Sequence, residues 1–169
     1  MLLSLPAFLT EFLCHRTARM NQITNFMSND HRHCDELFAA AEEAAGNGDL
    51  VACRSRFQTF LAAMTQHFAM EEQALFPAFE EASGNTMGPT RVMRLEHQQM
   101  RDVLAALADA LAAEDLEEYL GEAETLLILM QQHNIKEEQM LYPMSDQFLG
   151  NSGDAVIQAM RELREGAST

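Results

Sequence analysis

Six residues in this sequence could do chemistry together: His31, His67, Glu71, His97, His133 and Glu137. Imidazole and carboxylate side chains are ligands for transition metals, and this combination suits iron, with manganese or zinc as alternatives. Residues four apart stack on one face of a helix with Cβ atoms about 5–6 Å apart. His67 and Glu71 can therefore serve one cluster, and His133 and Glu137 can do the same. If both carboxylates bridge two metals, each metal receives about two nitrogens and two oxygens, leaving a position for an oxo, water or exogenous ligand.

The elements that must position these residues follow from the apolar pattern. Ile23, Met27, Cys34, Phe38 and Ala41 recur at helical spacing, with His31 in register. Phe57, Phe60, Leu61, Met64, Phe68 and Leu75 enclose His67 and Glu71. Met93, Met100, Leu104, Leu107 and Leu111 enclose His97, and Leu126, Leu127, Met130, Met140, Leu141 and Met144 enclose His133 and Glu137. Four imidazoles and two carboxylates thus face one core, where an uncompensated carboxylate is costly. Lys136 lies about 100° away from the Glu137 face. A pair of metal ions resolves the conflict; without them the two glutamates are expected to repel each other. Met70 and Met140 read as packing residues, Cys34 as a core thiol, and His15 and His33 as surface residues.

Breaks fall at Gly46–Asp49, Ser83–Pro89 and Gly150–Gly153, with a weaker one at Glu114-Asp115 where Asp115 can cap a new helix. Pro89 suits a first helical turn. The expected helices cover residues 21–45, 50–81, 89–113 and 116–147, the second and fourth bent or ended near Pro77 and Pro143, with a tail helix over 154–165. Short loops between long helices imply an all-α, up-down-up-down four-helix bundle. The chain also repeats. His67-Phe68-Ala69-Met70-Glu71 through Leu75-Phe76-Pro77 echoes His133-Asn134-Ile135-Lys136-Glu137 through Leu141-Tyr142-Pro143, an offset of 66 residues (133 minus 67) that also carries Asp30-His31 onto Glu96-His97. A pseudo-two-fold axis relating two helical hairpins would bring such residues together. Residues 1–19 are expected to form an N-terminal extension, 20–148 the bundle and 149–169 a C-terminal tail helix.

Composition narrows the partners. A formal net charge of −15 over 169 residues disfavours nucleic acid and anionic membrane surfaces. The three cysteines, Cys14, Cys34 and Cys53, form no metal-knuckle spacing and fit a reducing, cytoplasmic compartment.

The pattern His31, His67-x-x-x-Glu71, His97, His133-x-x-x-Glu137, with its Leu75-Phe76-Pro77 and Leu141-Tyr142-Pro143 endings, resembles the hemerythrin-like HHE cation-binding family over about residues 20–148. The resemblance implies a non-haem di-iron centre of two iron ions bridged by Glu71 and Glu137. Oxygen-carrying members place a second histidine where Arg101 stands and a longer His-to-Asp spacing on the fourth helix, so this chain looks less like a reversible oxygen carrier. Its ligand set is similar to that of iron–sulfur-cluster repair proteins of the superfamily, linked to nitric oxide and oxidative stress. The expected function is O2, NO or peroxide response, or iron handling and repair, with a small diatomic ligand or peroxide as partner. The alternative is an oxygen or iron storage module without catalysis.

Overall fold

The computed structural model describes residues 21–166, which are helical almost throughout and contain no strand. The proposed extension over residues 1–19 lies outside the described residues. Helix α1 covers Gln22–Gly46, and α2 covers Leu50–Met70. A widened π-turn, Glu71–Leu75, joins α2 to α3 (Phe76–Ser83). Helix α4 covers Pro89–Ala112, and α5 covers Leu116–Lys136. A second π-turn, Glu137–Leu141, joins α5 to α6 (Tyr142–Leu149). A single 3-10 turn, Gly150–Ser152, leads to the tail helix α7 (Gly153–Gly166). With α2–α3 and α5–α6 each taken as one rod, four long helices and a tail account for the described chain.

Local chemistry sets the boundaries. Asp49 accepts a hydrogen bond from the Ala52 amide (2.9 Å), and Asp115 accepts from Glu117 and Glu118 (3.1 and 3.0 Å), as its N-cap position anticipates. Pro89 opens α4, where its missing N–H costs nothing. Gly84 closes α3 in the left-handed conformation, φ +70°, which only glycine adopts freely.

Aromatic rings and hydrogen bonds lock the rods together. Phe38 of α1 meets Phe60 of α2 at 5.1 Å between ring centroids, and Phe57 meets the edge of Tyr119 of α5 at 5.9 Å. Arg54 of α2 donates to the Leu111 carbonyl near the end of α4 at 2.7 Å. Asp146 of α6 accepts from the Ile23 and Thr24 amides (2.9 and 3.1 Å) and from the Thr24 hydroxyl (2.7 Å), satisfying the exposed donors at the start of α1. The core falls into two apolar clusters. One holds Phe38, Phe57, Phe60, Phe68, Leu107 and Tyr119. The other holds Ile23, Met27, Leu75, Phe76, Phe79 and Met160, with Ile157 and Leu163 of α7 packed against it. The six polar residues lie in the layer between them.

The chain does not stop at Pro77 and Pro143. It widens one turn earlier and continues. The Phe76 amide reaches back to the Glu71 carbonyl and the Tyr142 amide to the Glu137 carbonyl, a span of five residues in place of four. Proline has no N–H to give, and its ring collides with the carbonyl four residues back in a regular helix. The wider turn relieves that clash and also rotates the residues beyond it. In a straight α-helix a residue five positions on lies about 140° off the starting face. Here Phe76 and Tyr142 return to the face of Glu71 and Glu137, and both are fully buried. The same rotation corrects one expectation: Met70 is buried, but Met140, read as a packing residue, is 52 % exposed.

Candidate metal centre

All six sequence-selected residues are buried and converge between the two apolar clusters. His31 comes from α1, His67 from α2, His97 from α4 and His133 from α5. Glu71 and Glu137 each open a π-turn. His33, two residues from His31, faces solvent as expected. Cys34 is a buried free thiol, and burial together with nearby Asp30 pushes its pKa up, away from the thiolate a metal would need. His15 lies outside the described residues.

Each imidazole is oriented by a carboxylate on its outer nitrogen. His31 Nδ1 lies 2.8 Å from Glu138 Oε1, and His67 Nδ1 lies 2.9 Å from Asp30 Oδ2. His97 Nδ1 lies 2.7 Å from Glu72 Oε1, and His133 Nδ1 lies 3.0 Å from Glu96 Oε2. An ionised carboxylate only accepts, so each Nδ1–H donates. That leaves the four Nε2 atoms as the inward nitrogens, the arrangement in which an outer carboxylate fixes the tautomer of a metal-binding histidine.

The inward atoms are close and poorly satisfied. His97 Nε2 lies 3.0 Å from Glu71 Oε2, and His133 Nε2 lies 3.2 Å from Glu137 Oε2. His31 Nε2 lies 3.3 Å from Glu137 Oε2, and His67 Nε2 lies 3.4 Å from Glu71 Oε2. His97 and His133 bring their Nε2 atoms to 3.2 Å, which sets two lone pairs head to head when both rings are neutral. His67 Nε2, Glu71 Oε2 and Glu137 Oε1 are fully buried without a hydrogen-bond partner. Such orphans cost about 1–3 kcal/mol each, more when charged. Cations at the convergence points would satisfy all of these atoms, so the residues present fit a metal pair. Two overlapping sets of candidate ligands share Glu137: Glu71, His97, His133 and Glu137, and His31, His67 and Glu137, with ligand atoms in each set within 4.8 Å of one another.

Without metal, protons carry part of this load. Burial opposes the charged form of His97, but Glu71 and Glu72 outweigh it and hold its pKa up at about 9. His31 and His133 are raised too, burial again being overcome by carboxylates, chiefly Glu137. Burial pushes Glu137 towards its neutral form, yet His133 and His31 bring it well below the usual range. The bare mutual repulsion of Glu71 and Glu137 expected from sequence is therefore offset. Each glutamate faces two imidazoles, and one hydroxyl contacts both.

That hydroxyl belongs to Tyr142, which sequence reasoning did not place in the site. Its Oη lies 2.7 Å from Glu71 Oε1, 2.9 Å from Glu137 Oε2 and 3.0 Å from His31 Nε2. Burial and the two glutamates push its pKa well above that of a free phenol. The four outer carboxylates were also missed. The signal was present as an acid beside four of the six candidate residues: Asp30-His31, Glu71-Glu72, Glu96-His97 and Glu137-Glu138. Lys136, turned away from the Glu137 face, pairs with Glu96, and Arg101 grips Glu72 with both terminal nitrogens at 3.0 and 2.9 Å.

Comparison with curated proteins and with solved structures gives no match. Comparison with family models gives one: the hemerythrin HHE cation binding domain, over residues 22–145.

Proposed function

Since the chain belongs to the hemerythrin HHE cation-binding domain family, a family of metal-binding proteins, we propose that His31, His67, Glu71, His97, His133 and Glu137 hold a non-haem di-iron centre serving O2, NO or peroxide response or iron handling and iron–sulfur repair. The carrying observation is the pair of overlapping ligand sets that share Glu137. His97, His133 and Glu71 would hold one metal and His31 and His67 the other, with Glu137 within reach of both. Bound iron would supply one-electron chemistry and open coordination positions for a small oxidant or diatomic gas.

The protein's own residues define what that centre can do. The outer carboxylates keep the Nε2 atoms basic and aimed inward. Phe68 at 4.3 Å and Phe76 at 5.7 Å, measured between ring centroids, cover His97 and exclude water from its side. Arg101 occupies the place where an oxygen carrier would have a fifth histidine. It binds Glu72 and covers Phe68 at 4.8 Å, so it supports the site from outside and supplies no ligand nitrogen. This favours redox or gas chemistry over reversible oxygen carriage.

An up-down bundle with a pseudo-two-fold axis belongs to the same reading. Support comes from the outer pairs, which follow the sequence offset: Asp30–His67 corresponds to Glu96–His133, and Glu72–His97 to Glu138–His31. No helix among the described residues is long and apolar enough to cross a membrane, and we place the protein in the cytoplasm on its cysteine usage. Anaerobic loading with Fe(II), followed by exposure to O2, NO and peroxide, tests the proposal. About two irons per chain and rapid oxidation are expected on this ligand set. Uptake well below one metal, across iron, manganese and zinc, would refute it, and stable reversible oxygen binding would favour the storage alternative.

A further inference from the structure

We propose that Tyr142 is a seventh ligand, its phenolic oxygen binding ferric iron on the His31 side of the centre and on that side alone. The inference rests on the metal-centre reading above and extends it.

Ligand atoms at neighbouring corners of one coordination shell, with metal–ligand bonds of roughly 2.0–2.2 Å, lie about 3 Å apart. Tyr142 Oη stands at 2.7, 2.9 and 3.0 Å from Glu71 Oε1, Glu137 Oε2 and His31 Nε2. The His31 spacing falls at the edge of the 3.0 to 3.4 Å found among the six residues themselves, and the two glutamate spacings are 0.3 and 0.1 Å below it. The hydroxyl thus occupies a corner of the same shell. The hydroxyl has one proton and faces two carboxylate oxygens, so hydrogen bonding from it fully satisfies only one of the two glutamates.

The second half of the site has no equivalent. The residue 66 positions before Tyr142 is Phe76, at the same place after its own π-turn. Phe76 stacks on His97 much as Tyr142 lies against His31, at 5.7 and 5.5 Å between ring centroids, but it has no oxygen to offer. A phenolate is a hard anionic donor that favours trivalent iron over divalent. On coordination the phenolic O–H bond breaks, the oxygen–iron(III) bond forms, the proton leaves to solvent and no electron moves.

The chain has two tyrosines, and the other, Tyr119, belongs to the larger apolar cluster, away from the centre. This makes the assignment clean. The experiment loads wild type, Tyr142→Phe and Tyr119→Phe with Fe(II), oxidises them in air, and measures iron content and resonance Raman spectra on the same samples. Wild type and Tyr119→Phe are expected to show a visible phenolate-to-iron(III) charge-transfer band with enhanced tyrosine ring modes. Tyr142→Phe is expected to keep its helicity and its iron, and to lose both signals. A double variant, Phe76→Tyr with Tyr142→Phe, is expected to recover them from the other side. Iron-loaded wild type without tyrosine modes, or Tyr142→Phe that retains them, overturns the ligand assignment and leaves the iron centre standing. Failure of wild type to take up iron overturns both.

Discussion

His97 shows how tightly protons and metal are linked in this site. Its pKa is held at about 9 without metal, so at pH 7 the ring is charged. A metal can bind only the neutral ring, so loading at neutral pH should expel protons, and affinity should rise as pH increases from 7 to 9. The metal-free fold responds in the opposite direction. A histidine whose folded pKa is raised contributes stability that is fully present below about 6.5 and is lost as pH climbs through about 9. The melting-temperature gap between loaded and metal-free protein should therefore widen over that interval, as paired thermal melts would show; a constant gap would mean His97 is not displaced from its proton. Substitution divides the residues further. Glu71→Ala and Glu137→Ala should abolish the binuclear site, while exposed His33→Ala should leave iron content near wild type. Glu96→Gln, which removes the carboxylate behind His133, should weaken metal binding about 10- to 100-fold, measured by competition with a chelator.

At the scale of the helix, the six converging residues could be read from the sequence because a regular 3.6-residue period places all of them on apolar stripes. The residues beyond the π-turns could not, because a widened turn breaks that period. Met140 and Tyr142 exchange the roles a straight helix would give them, Met140 turning outward and Tyr142 inward. Pro77 and Pro143 signalled the irregularity but not its form, since a proline can end a helix, kink it or be accommodated by a wider turn. The outer carboxylates were hidden for a different reason: each holds a histidine on another helix, and sequence spacing does not report contacts between helices. The π-turn makes a direct prediction. Met140→Lys should change stability by no more than about 0.5 kcal/mol. Met70→Ala, next to Glu71 in the chain and fully buried, should cost about 2–5 kcal/mol in denaturant titrations. A cost of several kcal/mol for Met140→Lys would mean that α5 continues as an unbroken α-helix with Met140 turned inward.

For the molecule as a whole, the centre sits between two apolar clusters and ties α1, α2, α4 and α5 together. A metal held by this folded arrangement and not by the unfolded chain should raise the melting temperature by mass action. The apolar clusters persist without it, and the metal-free protein should stay helical by circular dichroism. Because each glutamate is paired with imidazoles in that state, Glu71→Gln with Glu137→Gln should melt below metal-free wild type at neutral pH, the reverse of what bare repulsion between two carboxylates would give. The tail helix takes part as well: Arg164 of α7 approaches Asp30, the carboxylate behind His67, at 3.7 Å.

Three of the four outer carboxylates are backed by a cation: Asp30 by Arg164, Glu72 by Arg101 and Glu96 by Lys136. Among the described residues Glu138, behind His31, has none, and its side chain is 39 % exposed against 7 % for Asp30, 26 % for Glu72 and 20 % for Glu96. Three imidazole protons are thus fenced from bulk solvent by charged side chains, and one is not. Transferred to heavy water, the site should trade the His31 Nδ1 proton for deuterium first among its four imidazoles, so their Nδ1 proton resonances would fade in an order that identifies the side of the centre nearest to water.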